Sequence, residues 1–176
     1  MNTKQNPIRA LTHSALCLAL CLALPFLTGQ IPEVGGMLCP MHFPVLLCGF
    51  LCGPWWGVAV GLTAPVLRHI LFHMPPLVTA MGMSVELAVY GAVTGLLYRR
   101  LPKTRPSLYI ALLAAMVLGR LAWGGAMVGL YGLSGTPFGW ELFLSGAFFN
   151  AIPGILLQLL LVPLLVLALR KAKVME

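Results

Sequence analysis

Apolar residues run in long blocks along this chain, and the polar and charged positions fall almost entirely between the blocks. An α-helix needs about 20 such residues to cross roughly 30 Å of hydrocarbon. Residues 10–27 form one block. From residue 34 to residue 74 the chain is nearly unbroken, too long for one crossing, and Gly53-Pro54 supplies the interruption. Proline disfavours helical geometry in the residue before it, and glycine permits a tight reversal. Spans over 37–52 and 55–74 follow, the second stopped by Pro75-Pro76, with further spans over 77–98, 107–131 and 141–169. The pattern predicts an all-α integral membrane protein, a six-transmembrane-helix bundle forming a single membrane domain over 1–176.

Composition and charge placement orient that bundle. The chain is 60% hydrophobic and has eleven lysines and arginines against four acidic residues, a balance that no water-soluble domain requires. Nine of the eleven basic residues fall in three clusters: Lys4 and Arg9; Arg99, Arg100, Lys103 and Arg105; Arg170, Lys171 and Lys173. Each cluster flanks an apolar block, so the positive-inside rule places both termini in the cytoplasm. The outer loops then lie near 28–41, 74–77 and 132–140, and none contains a lysine or arginine. The net charge of +7 therefore reads as topology and attraction to anionic lipid, with no nucleic-acid partner. The first block ends in Pro-Phe-Leu-Thr-Gly-Gln without a small-x-small cleavage pattern, so it is expected to stay as the first helix.

Small residues recur every four positions: Ala15, Ala19 and Ala23; Gly57 and Gly61; Gly91 and Gly95; Gly125 and Gly129. That spacing lines one helical face and lets backbones approach closely. The alanine series serves equally as internal packing or as a smooth surface for another membrane protein.

Polar groups at membrane depth are costly, about 2.5 to 3.5 kcal/mol for a charge at the helix centre on insertion scales. Arg68 is expected roughly 9 Å below the outer end of its helix, and Glu86, Arg120 and Asn150 roughly 14 to 17 Å deep. His42, His69 and His73 lie near outer helix ends, and Gln158 on the last span. Two arginines around one glutamate leave an unmatched positive charge, which suits an anionic ligand such as a carboxylate. The competing reading is a buried Arg-Glu pair that only joins helices. Tyr90 lies four residues after Glu86, and Trp123 and Met127 three and seven after Arg120, so bulky side chains share a face with each charge and are candidates to wall a small molecule.

Catalytic and metal chemistry find little purchase. Gly132-Leu133-Ser134-Gly135 matches the string around the serine of rhomboid proteases, but all four histidines precede it, whereas those enzymes use a later one. Cys17 and Cys21, like Cys48 and Cys52, stand one turn apart, yet no CxxC occurs and the count of five gives no disulfide framework. Packing is the expected role of the cysteines, with no metal site. No lysine follows a glycine, so there is no phosphate-binding loop and no ATPase in this chain.

The alanine face at Ala15 and Ala19, the block PMHFPVLLCGFLCGPWWGVAVGLTAPVLRHILFHMPP from Pro40 to Pro76, and ELAVYGAVTGLLYRR from Glu86 to Arg100 together carry a family resemblance. The chain resembles the substrate-binding S-components of energy-coupling factor (ECF) vitamin transporters of the bacterial cytoplasmic membrane. The resemblance implies six helices with cytoplasmic termini and a nonenzymatic subunit that captures a water-soluble vitamin at the outer face. It implies docking through Ala15, Ala19 and Ala23 on a transmembrane coupling protein with two ABC ATPases, which use the ATP; this chain carries no cofactor. Family members topple in the membrane, and the implied lids are 28–41 and 74–77. Substrate contacts are then expected from His42, Arg68, Glu86, Tyr90, Arg120, Trp123 and Asn150. The MHxPVLL and MPP strings are most similar to the pantothenate-type branch, and Met41-His42 is internal, unlike the Met-His near the N-terminus of cobalt and nickel S-components. The alternatives are a secondary transporter or channel for a small anion, expected to show inverted repeats, and an intramembrane enzyme, expected to show a base-nucleophile pair.

Overall fold

In a computed structural model, which describes residues 7–28, 31–133, 139 and 151–174, the chain is built of helices. They are α1 (Pro7–Leu27), α2 (Pro32–Leu38), α3 (His42–Cys52), α4 (Pro54–Phe72), α5 (Leu77–Arg100), α6 (Arg105–Leu133) and α7 (Ile152–Lys171). Five of these, α1, α4, α5, α6 and α7, are long and apolar enough to cross a membrane. The protein is thus a multi-pass helical membrane protein.

The stretch expected as one span over 37–52 is divided. Cys39 has a left-handed backbone, φ 48°, and ends α2, with its N–H bonded to the Gly35 carbonyl. Pro40 follows, and α3 begins only at His42, leaving an apolar helix of 11 residues. A left-handed residue before a proline cannot continue a right-handed helix. The part of the last expected span over 141–150 and most of the loop 132–140, Ser134 included, lie outside the described residues.

The Gly53-Pro54 break is present as expected. Gly53 has φ 90°, which favours glycine, and a Cβ there would run into the Arg99 guanidinium. That guanidinium donates to the Cys52 carbonyl at 3.2 Å, tying the turn to the end of α5. Pro54 then opens α4 at a position where its missing N–H costs nothing.

Two of the four small-residue series meet each other. A Cβ on Gly57 would stand 2.7 Å from the Cα of Gly91, one on Gly61 would meet the Leu87 backbone, and one on Gly95 that of Gly53-Pro54. The α4 and α5 backbones are therefore in direct contact at three levels over about two helical turns, which only glycine allows. Gly125 and Gly129 have nothing within 4 Å of an added Cβ, and Ala15, Ala19 and Ala23 are exposed on α1. The buried face of α1 is instead Ala10, Ser14, Cys17, Cys21 and Pro25. Cys17, Cys21, Cys48 and Cys52 sit in the core beside Val45 and Leu46. Hydroxyls inside the spans bond their own helix, Ser84 to the Ala80 carbonyl at 2.8 Å and Thr94 to that of Tyr90 at 2.7 Å, so they need no other partner.

The basic clusters gather at one end. Arg9 donates to the Val174 carbonyl at 2.9 Å and Arg170 to that of Lys103 at 2.9 Å, drawing together the start of α1, the end of α7 and the loop between α5 and α6. At the opposite end α1 and α4 finish and α5 begins.

Candidate functional site

A cavity of about 420 Å³ opens at that opposite end, lined by residues from α1 to α6 and their connections. Thr28, Ile31, Gly35, Cys39, Pro40 and Met41 of the 28–41 segment and Met74, Pro75 and Pro76 between α4 and α5 are among its lining. Both segments expected to act as lids thus border it. The size and mainly apolar lining suit a small organic molecule held by a few polar groups.

Glu86 is the acidic group in the wall, 1% exposed. Its Oε1 lies 3.2 Å from Nη1 of Arg120 and 3.3 Å from Nε2 of His42. An uncompensated carboxylate at this depth would be prohibitive, and these neighbours supply the compensation. Arg120 also directs Nη2 to the Cys39 sulfur at 3.8 Å. His42 is the first residue of α3, placed there by the chain reversal at Cys39-Pro40, and its ring meets Tyr90 edge-on with centroids 5.3 Å apart.

Arg68, in the last turn but one of α4, is arranged differently. Its Nη1 donates to the Leu22 carbonyl at 2.7 Å, and its guanidinium packs 5.1 Å from the centre of the Phe26 ring and 5.3 Å from that of Phe72. Among the described residues no carboxylate lies within ion-pair distance of Arg68. Among the described residues the cavity is therefore lined by one arginine paired with a carboxylate and one that is not, and Arg68 has guanidinium hydrogens beyond the one it gives to Leu22.

Of the residues expected to touch substrate, His42, Arg68, Glu86, Arg120 and Trp123 all line this cavity. Tyr90 does not. It is fully buried behind His42, and a Cβ on Gly119 of α6 would run into its ring. Sharing a helical face with Glu86 put it on the right side of α5 but one layer deeper, where α6 closes over it. Asn150 lies outside the described residues. Met127, considered as a wall, packs on Gly82 between α5 and α6.

Cys39 corrects the expectation that every cysteine only packs, because it lines the cavity and touches Arg120. Its adjacency to Pro40-Met41-His42 was the available signal. Met83 and Thr79, one and two turns before Glu86 on α5, also line the cavity without having been singled out; the same-face spacing to Glu86 points to them.

A mainly apolar chamber that holds the Glu86–Arg120 pair and Arg68 within a multi-pass bundle is compatible with a membrane subunit that binds a solute. The family model for the ECF transporter, substrate-specific component, matches residues 9–166, and the chain belongs to that family. It is thus a substrate-specific subunit of an ECF transporter, in a family of transporter subunits and not of enzymes, which works with an ECF membrane protein and ATPases on a small-molecule substrate. No curated protein and no solved structure matches the chain.

Proposed function

We propose that the chain captures a small carboxylate-bearing vitamin, pantothenate being the best candidate, in the cavity between the 28–41 segment and the 73–76 loop. The carboxylate meets Arg68, and the hydroxyl or amide groups of the ligand meet the cluster of His42, Glu86 and Arg120. The observation that carries this reading is that Arg68 lines the cavity with no carboxylate partner among the described residues. A guanidinium in a mainly apolar cavity wall gains from an anion brought to it, and a carboxylate ligand supplies one.

In this reading the chain is one membrane domain with six spans and cytoplasmic termini, and the cavity faces the outside of a bacterial cytoplasmic membrane. The end carrying Arg9, Arg99, Arg100, Lys103 and Arg170 is the cytoplasmic one, as the positive-inside rule requires. The chain itself needs no cofactor. Loaded with vitamin, it docks on the transmembrane coupling protein through Ala15, Ala19 and Ala23, whose small side chains are exposed on α1, and the two partner ATPases consume the ATP.

The test is titration of the purified full chain with pantothenate and with its alcohol analogue, which lacks the carboxylate. Tight binding of the acid and weak binding of the alcohol are expected. Equal affinity for both would remove Arg68 from its role, and mass spectrometry of the protein as purified identifies the ligand if neither binds.

A further inference from the structure

Two imidazoles that the candidate site leaves unused stand together where α4 ends. His69 lies in the last turn, and His73 closes it, with its N–H donating to the His69 carbonyl at 2.8 Å and a left-handed backbone, φ 55°. Their ring centroids are 6.3 Å apart with planes at 87°. His69 is half-buried and His73 exposed. Spacing of four residues at a helix end brings such side chains over one patch of surface.

The hydrogen bonding of His69 fixes what its ring can offer. Nδ1 lies 2.8 Å from the Pro75 carbonyl oxygen. A carbonyl only accepts, so Nδ1 carries a proton, and in the neutral ring Nε2 is the nitrogen that presents its lone pair. Orientation of an imidazole by a backbone carbonyl on its other nitrogen is how metal-ligating histidines are held. The carbonyl end of α4 favours positive charge. The neighbouring cation, Arg68, sends its guanidinium away to Leu22 on α1.

We propose that His69 and His73 form a two-imidazole site for a divalent transition-metal ion of the zinc, nickel or copper class, and that the bound ion pins the 73–76 loop beside the cavity. Imidazole nitrogen suits those ions, which it ligates at about 2.0 to 2.1 Å. Two rings on one ion then have centroids up to about 6 Å apart, so a small ring rotation from the observed 6.3 Å brings both nitrogens to it. Among the described residues no set of three or more His, Cys, Asp or Glu side chains converges, so water completes the coordination. The loop is involved because Met74, Pro75 and Pro76 line the cavity while the Pro75 carbonyl is bonded to His69. An ion that holds the His69 ring holds that carbonyl, and with it one part of the cavity lining.

The test uses the full chain in lipid nanodiscs titrated with Zn²⁺ alone, with no vitamin present, so that it succeeds or fails independently of the substrate assignment. One ion per chain is expected. His73→Ala, an exposed change that leaves the His69 to Pro75 bond intact, should weaken binding by more than about tenfold, the lower bound for losing even an outer-shell group. Hydrogen exchange at the amides of Met74 and Leu77 should slow with Zn²⁺ in the parent and not in H73A. Absence of binding by the parent, or equal binding by H73A, would overturn the site; bound Zn²⁺ with unchanged exchange would overturn its hold on the loop.

Discussion

Oε1 of Glu86 on α5 lies 3.2 Å from Nη1 of Arg120 on α6, and this ion pair decides which of the two arginines in the cavity is committed to the protein. The total of two guanidiniums and one carboxylate was readable from composition. Their assignment was not, because it depends on which helices are neighbours.

Removing Arg120 should therefore damage the fold before it reports on substrate. Arg120→Ala leaves Glu86 without its guanidinium, with His42 at 3.3 Å, and breaking a buried pair from one side costs about 3 to 5 kcal/mol. Thermal unfolding in detergent should show a large loss for R120A. The double variant Glu86→Gln with Arg120→Met, which removes both charges, should recover much of it.

Arg68→Gln should behave in the opposite way. Glutamine can still donate to the Leu22 carbonyl, so the unfolding temperature should change little, while ligand affinity falls by the value of a charge-assisted bond, about 1.5 to 3 kcal/mol or roughly 10- to 150-fold. Calorimetric titration checks both. Unchanged affinity would show that the anion sits elsewhere.

The glycines divide by what faces them. Gly91→Val should destabilise by about 1 to 3 kcal/mol or prevent insertion, since its Cβ would strike the Gly57 backbone. Gly125→Ala and Gly129→Ala, with open space around them, should leave stability unchanged or raise it by about 0.5 to 1 kcal/mol each. Chemical unfolding of the three variants side by side tests the contrast.

Ala15→Trp and Ala19→Trp sit on the exposed face of α1, away from the cavity. Both should bind ligand normally, fail to copurify with the coupling protein and ATPases, and abolish uptake. Normal copurification would move the docking face to another helix.

How much of this was legible in the chain follows from what a membrane does to sequence signals. The Gly53-Pro54 turn, the Pro75-Pro76 stop and the grouping of Arg68, Glu86 and Arg120 were readable because proline, glycine and charge are rare and costly there. The division of α2 from α3 was not, because the left-handed turn at Cys39 looks like any other residue of an apolar run. Tyr90 was placed one layer too shallow for a related reason. Lipid-facing Leu118 and core-facing Leu112 are equally apolar, so hydrophobicity alone does not say which face of a span points inward. Only the spacing of small and polar residues does, and at Gly57 and Gly91 the close backbone approach that such spacing permits is present, though the spacing did not say which helix would be the partner.

The backbone contact between α4 and α5 has a bearing on selectivity. Arg68 rides on α4 and Glu86 on α5, so glycine-to-backbone packing of these two helices holds the two charges at a set separation. Under the proposed assignment that distance acts as a fixed gauge, and a guest too short to reach from Arg68 to the Glu86 cluster forfeits part of its recognition.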